Sequence, residues 1–233
     1  RRADPSPGMI RAVIFDFDGV IANSEPLHFL GFRDVLREEN ADLTEQDYYT
    51  RYLGFDDAGA FAAIASDRRL AWPSGKVDEL VARKAVRMEE LERGVSVLFP
   101  GAREAIERLA AKCPLAIASG ALRQEIVRVL EREGLARHFR TIVAAEDTPA
   151  SKPAPDPYLR AVERLSSVVG VYLTPSQCVA IEDSHWGLES AAAAGLRTVA
   201  VAHTYSAKEL DQAELVVANL DLLTWELLDR ALN

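Results

Sequence analysis

The chain has 233 residues, enough for one large domain or a domain with a smaller insert, and too many for a stapled mini-domain. An apolar share of 48% and a charged share of 27% exclude a wholly disordered chain. With 27 Lys and Arg against 36 Asp and Glu, the formal net charge is -9, so no basic surplus exists to neutralise a nucleic-acid backbone.

Residues 1–8 hold two Arg but no apolar core of the secretory kind, and read as a disordered leader or cloning remnant ahead of Met9. Residues 12–15 are continuously apolar, the pattern of a strand covered on both faces. They run into Asp16-Phe17-Asp18-Gly19-Val20. In extended backbone, side chains two apart point the same way, so Asp16 and Asp18 address one space while Phe17 turns away. Two close carboxylates repel each other and call for a cation or a shared proton. An acidic turn after a strand is the plainer alternative. Residues 24–96 then carry helical periodicity, as over 29–38 and 77–91, and no convincing strand. They read as a helical cap inserted into the core, with hinges at 22–23 and 97–101. The core itself comprises 9–23 and 97–233.

Beyond residue 97 the rhythm changes. Strand-length apolar runs at 115–118, 142–145, 179–181, 198–202 and 215–218 alternate with amphipathic stretches at 102–112, 121–133, 156–169 and 184–194. The second of these stretches stops at Gly134, and the last is capped by Ser184 and stopped by Gly195. Such alternation with short links predicts an α/β fold, a doubly wound, Rossmann-like parallel sheet. In such a sheet ligands bind outside the carboxyl ends of the strands. Ser119 follows one strand in Ile117-Ala118-Ser119-Gly120. Lys152 lies in Ser151-Lys152-Pro153-Ala154-Pro155-Asp156, a loop stiffened by its prolines. Glu182 and Asp183 end another strand in Ile181-Glu182-Asp183-Ser184. Taken singly, each has a plain reading: a Ser-Gly turn, a solvated lysine, a helix N-cap. Together with Asp16 and Asp18 they fall at one end of one sheet. Cys113 and Cys178 lie in no metal-type spacing and read as small buried hydrophobes of a reducing compartment. The longest uncharged run, 165–181, falls short of a membrane span.

From Ile10 onward, the order Asp-x-Asp-Gly, Ser, Lys-Pro and Glu-Asp-Ser, with a cap inserted after the first motif, resembles the haloacid dehalogenase superfamily. Within it, the chain is similar to the cap-bearing phosphatase group that includes β-phosphoglucomutase. The run Val20 to His28 also resembles that group's entry into the cap, with Asn23 where an aspartate is common. The resemblance implies that Asp16 is a nucleophile forming an aspartyl-phosphate. Asp18 would then be the general acid and base. It also implies Mg2+ as cofactor, held by Asp16, the Asp18 backbone carbonyl and Asp183, with Glu182 ligating directly or through water. Ser119 and Lys152 would hold phosphoryl oxygens. An acid at position 18 implies an oxygen leaving group, hence a phosphate ester.

Leu53-Gly54-Phe55-Asp56-Asp57 resembles the group's cap specificity loop, and Asp57 falls where the mutase carries a phosphate-binding arginine. An acid there would repel a second phosphate, which argues against mutase action. His28 and Lys84 match cap positions that face the active site in relatives, each with a structural role as the alternative. Arg123 would contact substrate or simply start its helix. The expectation is a Mg2+-dependent phosphatase of a small phosphorylated metabolite, a sugar phosphate in first place. It would be cytoplasmic, a monomer or weak homo-oligomer, and would bind neither nucleic acid nor membrane. The alternatives are a sugar-phosphate mutase and a non-catalytic binding module on the same fold.

Overall fold

The computed structural model describes residues 9–53 and 55–232, so the expected leader at 1–8 and Gly54 lie outside the described residues. The chain forms two compact units, one from the segments up to Asn23 and from Val97 onward, the other from Ser24–Ser96. In chain order the elements begin with β1 (Ala12–Phe15), α1 (Glu25–Glu38), α2 (Glu45–Asp47), a π-helical turn (Tyr48–Tyr52), α3 (Asp57–Arg68) and α4 (Lys76–Leu91). They continue with α5 (Ala102–Ala110), β2 (Leu115–Ala118), α6 (Arg123–Arg132), β3 (Phe139–Val143) and α7 (Asp156–Val169). The last are β4 (Cys178–Glu182), α8 (His185–Ala193), β5 (Arg197–Val201), β6 (Leu215–Val217) and α9 (Trp225–Leu232).

The strands form a 6-stranded sheet in the order β3-β2-β1-β4-β5-β6. Every pairing is parallel, with Phe15 opposite Ile117 on one side and Ile181 on the other. This is the doubly wound order, and its switch point lies beside β1, where the two directions of winding diverge. The strands β1, β2 and β4 are buried along their whole length, as their unbroken apolar runs require. One face is small: Ala12, Ala116, Ala118 and Ala180 pack with Tyr158, Ala161, Val162 and Leu165 of α7. Those alanines let the helix sit close, and a larger side chain there would overpack it by about 1–3 kcal/mol.

Element boundaries differ from expectation in places, each for a local reason. The edge strand β3 starts at Phe139, not 142, and only Val143 within it is fully buried. Its half-exposed, mixed composition hides it from a search for apolar runs. Ala145 belongs to a tight turn in which Asp147 accepts the Ala144 N–H at 2.8 Å. Helix α6 starts at Arg123 rather than 121, because the Ala121 N–H is taken by Ser119 Oγ at 3.2 Å and the Leu122 N–H by Glu125 Oε2 at 3.3 Å. Helix α1 starts a turn early, at Glu25, where Pro26 is tolerated because first-turn N–H groups have no helical acceptor.

Among its described residues, the Ser24–Ser96 unit holds helices joined by turns and no strand. Its core gathers Phe29, Phe32 and Leu36 of α1, Tyr48 and Tyr52, Phe61 and Ile64 of α3, and Leu80 of α4. Phe32 and Phe61 meet edge to face at 4.9 Å. The sequence pattern misses α3, whose start is fixed by the Asp56 side chain accepting the Gly59 N–H at 2.7 Å. Among the described residues, no helix is long and apolar enough to cross a membrane.

Candidate active site

Asp16 leaves the end of β1 with its N–H donated to the Ile181 carbonyl at 2.9 Å, while its own Oδ1 accepts the Phe17 N–H at 2.7 Å. The chain then turns back on itself: the Gly19 N–H donates to the Ala22 carbonyl, and the Ala22 N–H to the Phe17 carbonyl, each at 2.9 Å. Asp18 sits half-buried in this turn. Only glycine fits at 19, since φ is 76° and a Cβ would lie 2.0 Å from Asp183 Oδ2. The first motif and the last are thus pressed together through a missing side chain.

Oxygen atoms of Asp16, Glu182 and Asp183, all buried, lie within 4.8 Å of one another. Lys152 Nζ joins them, 3.0 Å from Asp16 Oδ1 and 2.6 Å from Glu182 Oε1. The Tyr158 hydroxyl donates to that same Glu182 oxygen. Glu182 occupies the floor of the cluster, where Gly187 makes room for it: a Cβ there would lie 1.9 Å from Oε2. Asp183 accepts the Thr204 hydroxyl at Oδ2. Ser119, also buried, donates its N–H to the Val143 carbonyl at 3.0 Å and lines a cavity of about 310 Å³ with Gly120, Thr148, Ser151 and Lys152.

The electrostatics follow from crowding three carboxylates around one ammonium. Burial pushes Glu182 up to about 7, with Lys152 pulling it down and Asp16 adding to the rise. Burial likewise raises Asp183 to about 6, with Asp16 again contributing. Burial alone would lower Lys152, but the charges of Asp16 and Glu182 outweigh it and hold the ammonium above its usual range. The cluster therefore either carries protons or takes up positive charge. Its donors are hard oxygens converging from two loops, the set that suits a divalent cation such as Mg2+.

The residues singled out in the helical unit form a second cluster. Lys84 is wholly buried, with Nζ 2.9 Å from His28 Nδ1, 4.2 Å from the centre of the Phe32 ring, and donating to the Asp57 carboxylate. An ammonium only donates, so His28 Nδ1 accepts and the ring proton of neutral His28 resides on Nε2. Asp57 is therefore not the bare acid that its sequence position led us to expect. Arg123 is a structural anchor: it pairs with Asp147 and donates to the Ile142 carbonyl at 3.0 Å. Arg164 reaches the same Asp147 at 2.8 Å.

Sequence reasoning missed Tyr158, Thr204 and His203. Tyr158 reads as one more core residue of an amphipathic helix, and nothing in the sequence aims its hydroxyl. Thr204 was within reach, because the segment after β5 must emerge at the same edge as Asp16 and Asp183.

The sequence matches the haloacid dehalogenase-like hydrolase family over residues 13–201. A phosphorylated carbohydrates phosphatase of Thermotoga maritima is 32% identical over 194 residues, covering 82% of this chain and 84% of the relative. Hexitol phosphatase B of Escherichia coli is 31% identical over 198 residues, covering 84% and 85%. Among solved structures, CbbY from Rhodobacter sphaeroides in complex with phosphate aligns with a TM-score of 0.78 over 92% of this chain and 96% of its own, at 23% identity, a likeness of fold.

Proposed function

The chain belongs to the haloacid dehalogenase-like hydrolase family and is a phosphoric monoester hydrolase, and from that premise we propose a Mg2+-dependent phosphatase acting on a small phosphorylated metabolite, a sugar phosphate, in the cytoplasm. The observation that carries this reading is the bridge of Lys152 between Asp16 and Glu182, beside buried Ser119 at the same sheet edge.

In the proposed reaction an Asp16 oxygen attacks phosphorus, and the new carboxyl–phosphorus bond forms as the ester P–O bond breaks. Asp18 gives its proton to the departing oxygen, then takes one from the water that attacks the aspartyl-phosphate. That second step releases inorganic phosphate and restores Asp16. Lys152 and Ser119 hold phosphoryl oxygens, so a dianion can be accommodated in an acidic protein. Asp16, the Asp18 carbonyl and Asp183 would hold Mg2+, with Glu182 ligating directly or through water. When bound, the ion supplies positive charge where phosphoryl oxygens gather. The Lys152 and Tyr158 contacts keep Glu182 oriented toward the cluster. We assign the Ser24–Ser96 unit the part of a cap that selects the substrate, through His28, Gly54, Asp57 and Lys84.

The test is a turnover panel of phosphorylated sugars, polyols and an aryl phosphate, with and without Mg2+, on the wild type and Asp16→Asn. Phosphate released should equal substrate lost. The variant should fold and hydrolyse nothing, because its amide cannot form the phosphoryl intermediate. Near-wild-type turnover by folded Asp16→Asn would end the covalent reading. Efficient interconversion of hexose 1- and 6-phosphates with little phosphate released would replace phosphatase by mutase.

A further inference from the structure

The segment that follows β5 touches both halves of the candidate site with two consecutive residues. We infer that His203 and Thr204 are a positioning pair, His203 fixing the Asp18-Gly19 turn through the Gly19 carbonyl and Thr204 fixing the carboxylate of Asp183. This rests on the roles proposed above for Asp18 and Asp183.

His203 Nδ1 lies 3.0 Å from the Gly19 carbonyl oxygen, and because a carbonyl only accepts, the proton is on Nδ1. The ring orientation is set from its other side. Phe99 stacks on it at 4.0 Å with 16° between the planes. Phe99 is itself tied to the far arm of the turn, its N–H donating to the Ile21 carbonyl at 3.0 Å. The His203 backbone is pinned near the sheet, with its N–H on the Val201 carbonyl at 2.9 Å and that of Ala202 on the Val217 carbonyl at 2.9 Å. One residue on, the Thr204 hydroxyl donates to Asp183 Oδ2, the oxygen that a Cβ on Gly19 would strike.

The turn and the carboxylate are therefore in direct contact, and one dipeptide braces both. A donor on Oδ2 selects one rotamer of a carboxylate that lies beside Asp16 and Glu182. The peptide next to the Gly19 carbonyl is that of Asp18, so holding the first orients the second. Neither residue touches a reacting atom in this arrangement, which is why they are positioning residues.

The experiment titrates the metal-free protein with magnesium chloride and follows the melting temperature, for wild type, Thr204→Val, Thr204→Ala and Thr204→Ser. Thr204 is exposed, so the metal-free variants should melt close to wild type. Val and Ala should weaken Mg2+ binding roughly 10- to 100-fold, and Ser should return it to within about threefold. In parallel, His203→Ala should lower kcat roughly 10- to 100-fold with KM little changed, since a small misplacement is costly. His203→Asn, which can still donate, should recover part of that loss. Wild-type-like Mg2+ binding by Val or Ala, or equal weakening in Val and Ser, would overturn the pair. A wild type that binds no Mg2+ would instead sink the metal-site reading on which the pair depends.

Discussion

In the sheet unit, Lys152 Nζ lies 5.1 Å from the centre of the Tyr158 ring and reaches Asp16 and Glu182. In the helical unit, Lys84 Nζ lies 4.2 Å from the centre of the Phe32 ring and reaches Asp57 and His28. The two lysines share a design, an ammonium over an aromatic face against a carboxylate, but not a charge balance. Lys152 stands among three acids, counting Asp183, and the surplus is visible in the upward shifts of Glu182 and Asp183. Lys84 pairs with the Asp57 carboxylate and with an imidazole that accepts. The first arrangement is completed only by further positive charge or by protons, which suits a site where a cation binds and phosphoryl charge develops. In the second, the ammonium already has a carboxylate beside it.

The comparison breaks at once if the acids of the sheet unit are merely structural, and Asp18 tests that most severely. We expect Asp18→Asn to lose roughly 10²–10⁴-fold on sugar phosphates, the range for a general acid and base. Aryl phosphates should lose less in the phosphoryl-transfer step, because an aryl oxide leaves without a proton. Rapid-quench measurement of that step on both substrates decides it. Equal losses would remove Asp18 from the acid role.

Much of this difference between the units could be anticipated for one and hardly at all for the other. The buried strands β1, β2 and β4 announce themselves as apolar runs, and parallel winding then forces whatever follows them to a common edge. That places Asp16, Ser119, Glu182 and Asp183 from local sequence alone. The sequence assigns Lys152 to that edge with them, but its bridge between Asp16 and Glu182, like the roles of Tyr158 and Thr204, needs the finished packing. Lys84 and Asp57 are 27 positions apart on different helices, and their meeting depends on how α1, α3 and α4 pack. Helical periodicity shows which face is apolar and says nothing of which neighbour it finds. The half-exposed first part of the edge strand β3 and the short helix α9 escaped for want of a long pattern.

The charge balance of the helical unit can be sharpened by breaking it from each side. Lys84 is fully buried, whereas the Asp57 side chain retains 34% exposure. Removing the acid strands an ammonium away from water, while removing the ammonium leaves a carboxylate that water can still reach. We therefore expect Asp57→Asn to cost roughly 1–3 kcal/mol, below the figure for a fully buried pair because His28 remains. Lys84→Met, which keeps the volume over Phe32, should cost about 1 kcal/mol or less. Urea unfolding of both variants gives the comparison. A larger loss for Lys84→Met would mean that the lysine matters through packing and not through its pair.

The smallest effect concerns pH and sharpens the view of the sheet unit as short of positive charge. Glu182 titrates at about 7 in the fold against 4.5 for a free side chain, so between those values the folded, metal-free protein holds a proton that the unfolded chain has lost. Stability must then fall as pH rises through that window. Asp183, raised from 3.8 to about 6, gives the same sign and has spent most of its effect by neutral pH. His203 acts oppositely: burial lowers its pKa below 6.5, so its contribution grows as pH rises through 6.5 and levels off above it, offsetting a smaller part of the fall. From pH 6.5 to 8 the slope therefore belongs chiefly to Glu182. We expect the chelator-treated protein to melt roughly 2–4 °C lower at pH 8 than at 6.5, corresponding to about 1 kcal/mol. Glu182→Gln should flatten that slope. Saturating Mg2+ should abolish or invert it, because cation and proton compete for the same oxygens. A metal-free melting temperature that rises across this interval would show that the acids around Lys152 carry no surplus, and the contrast with Lys84 would vanish.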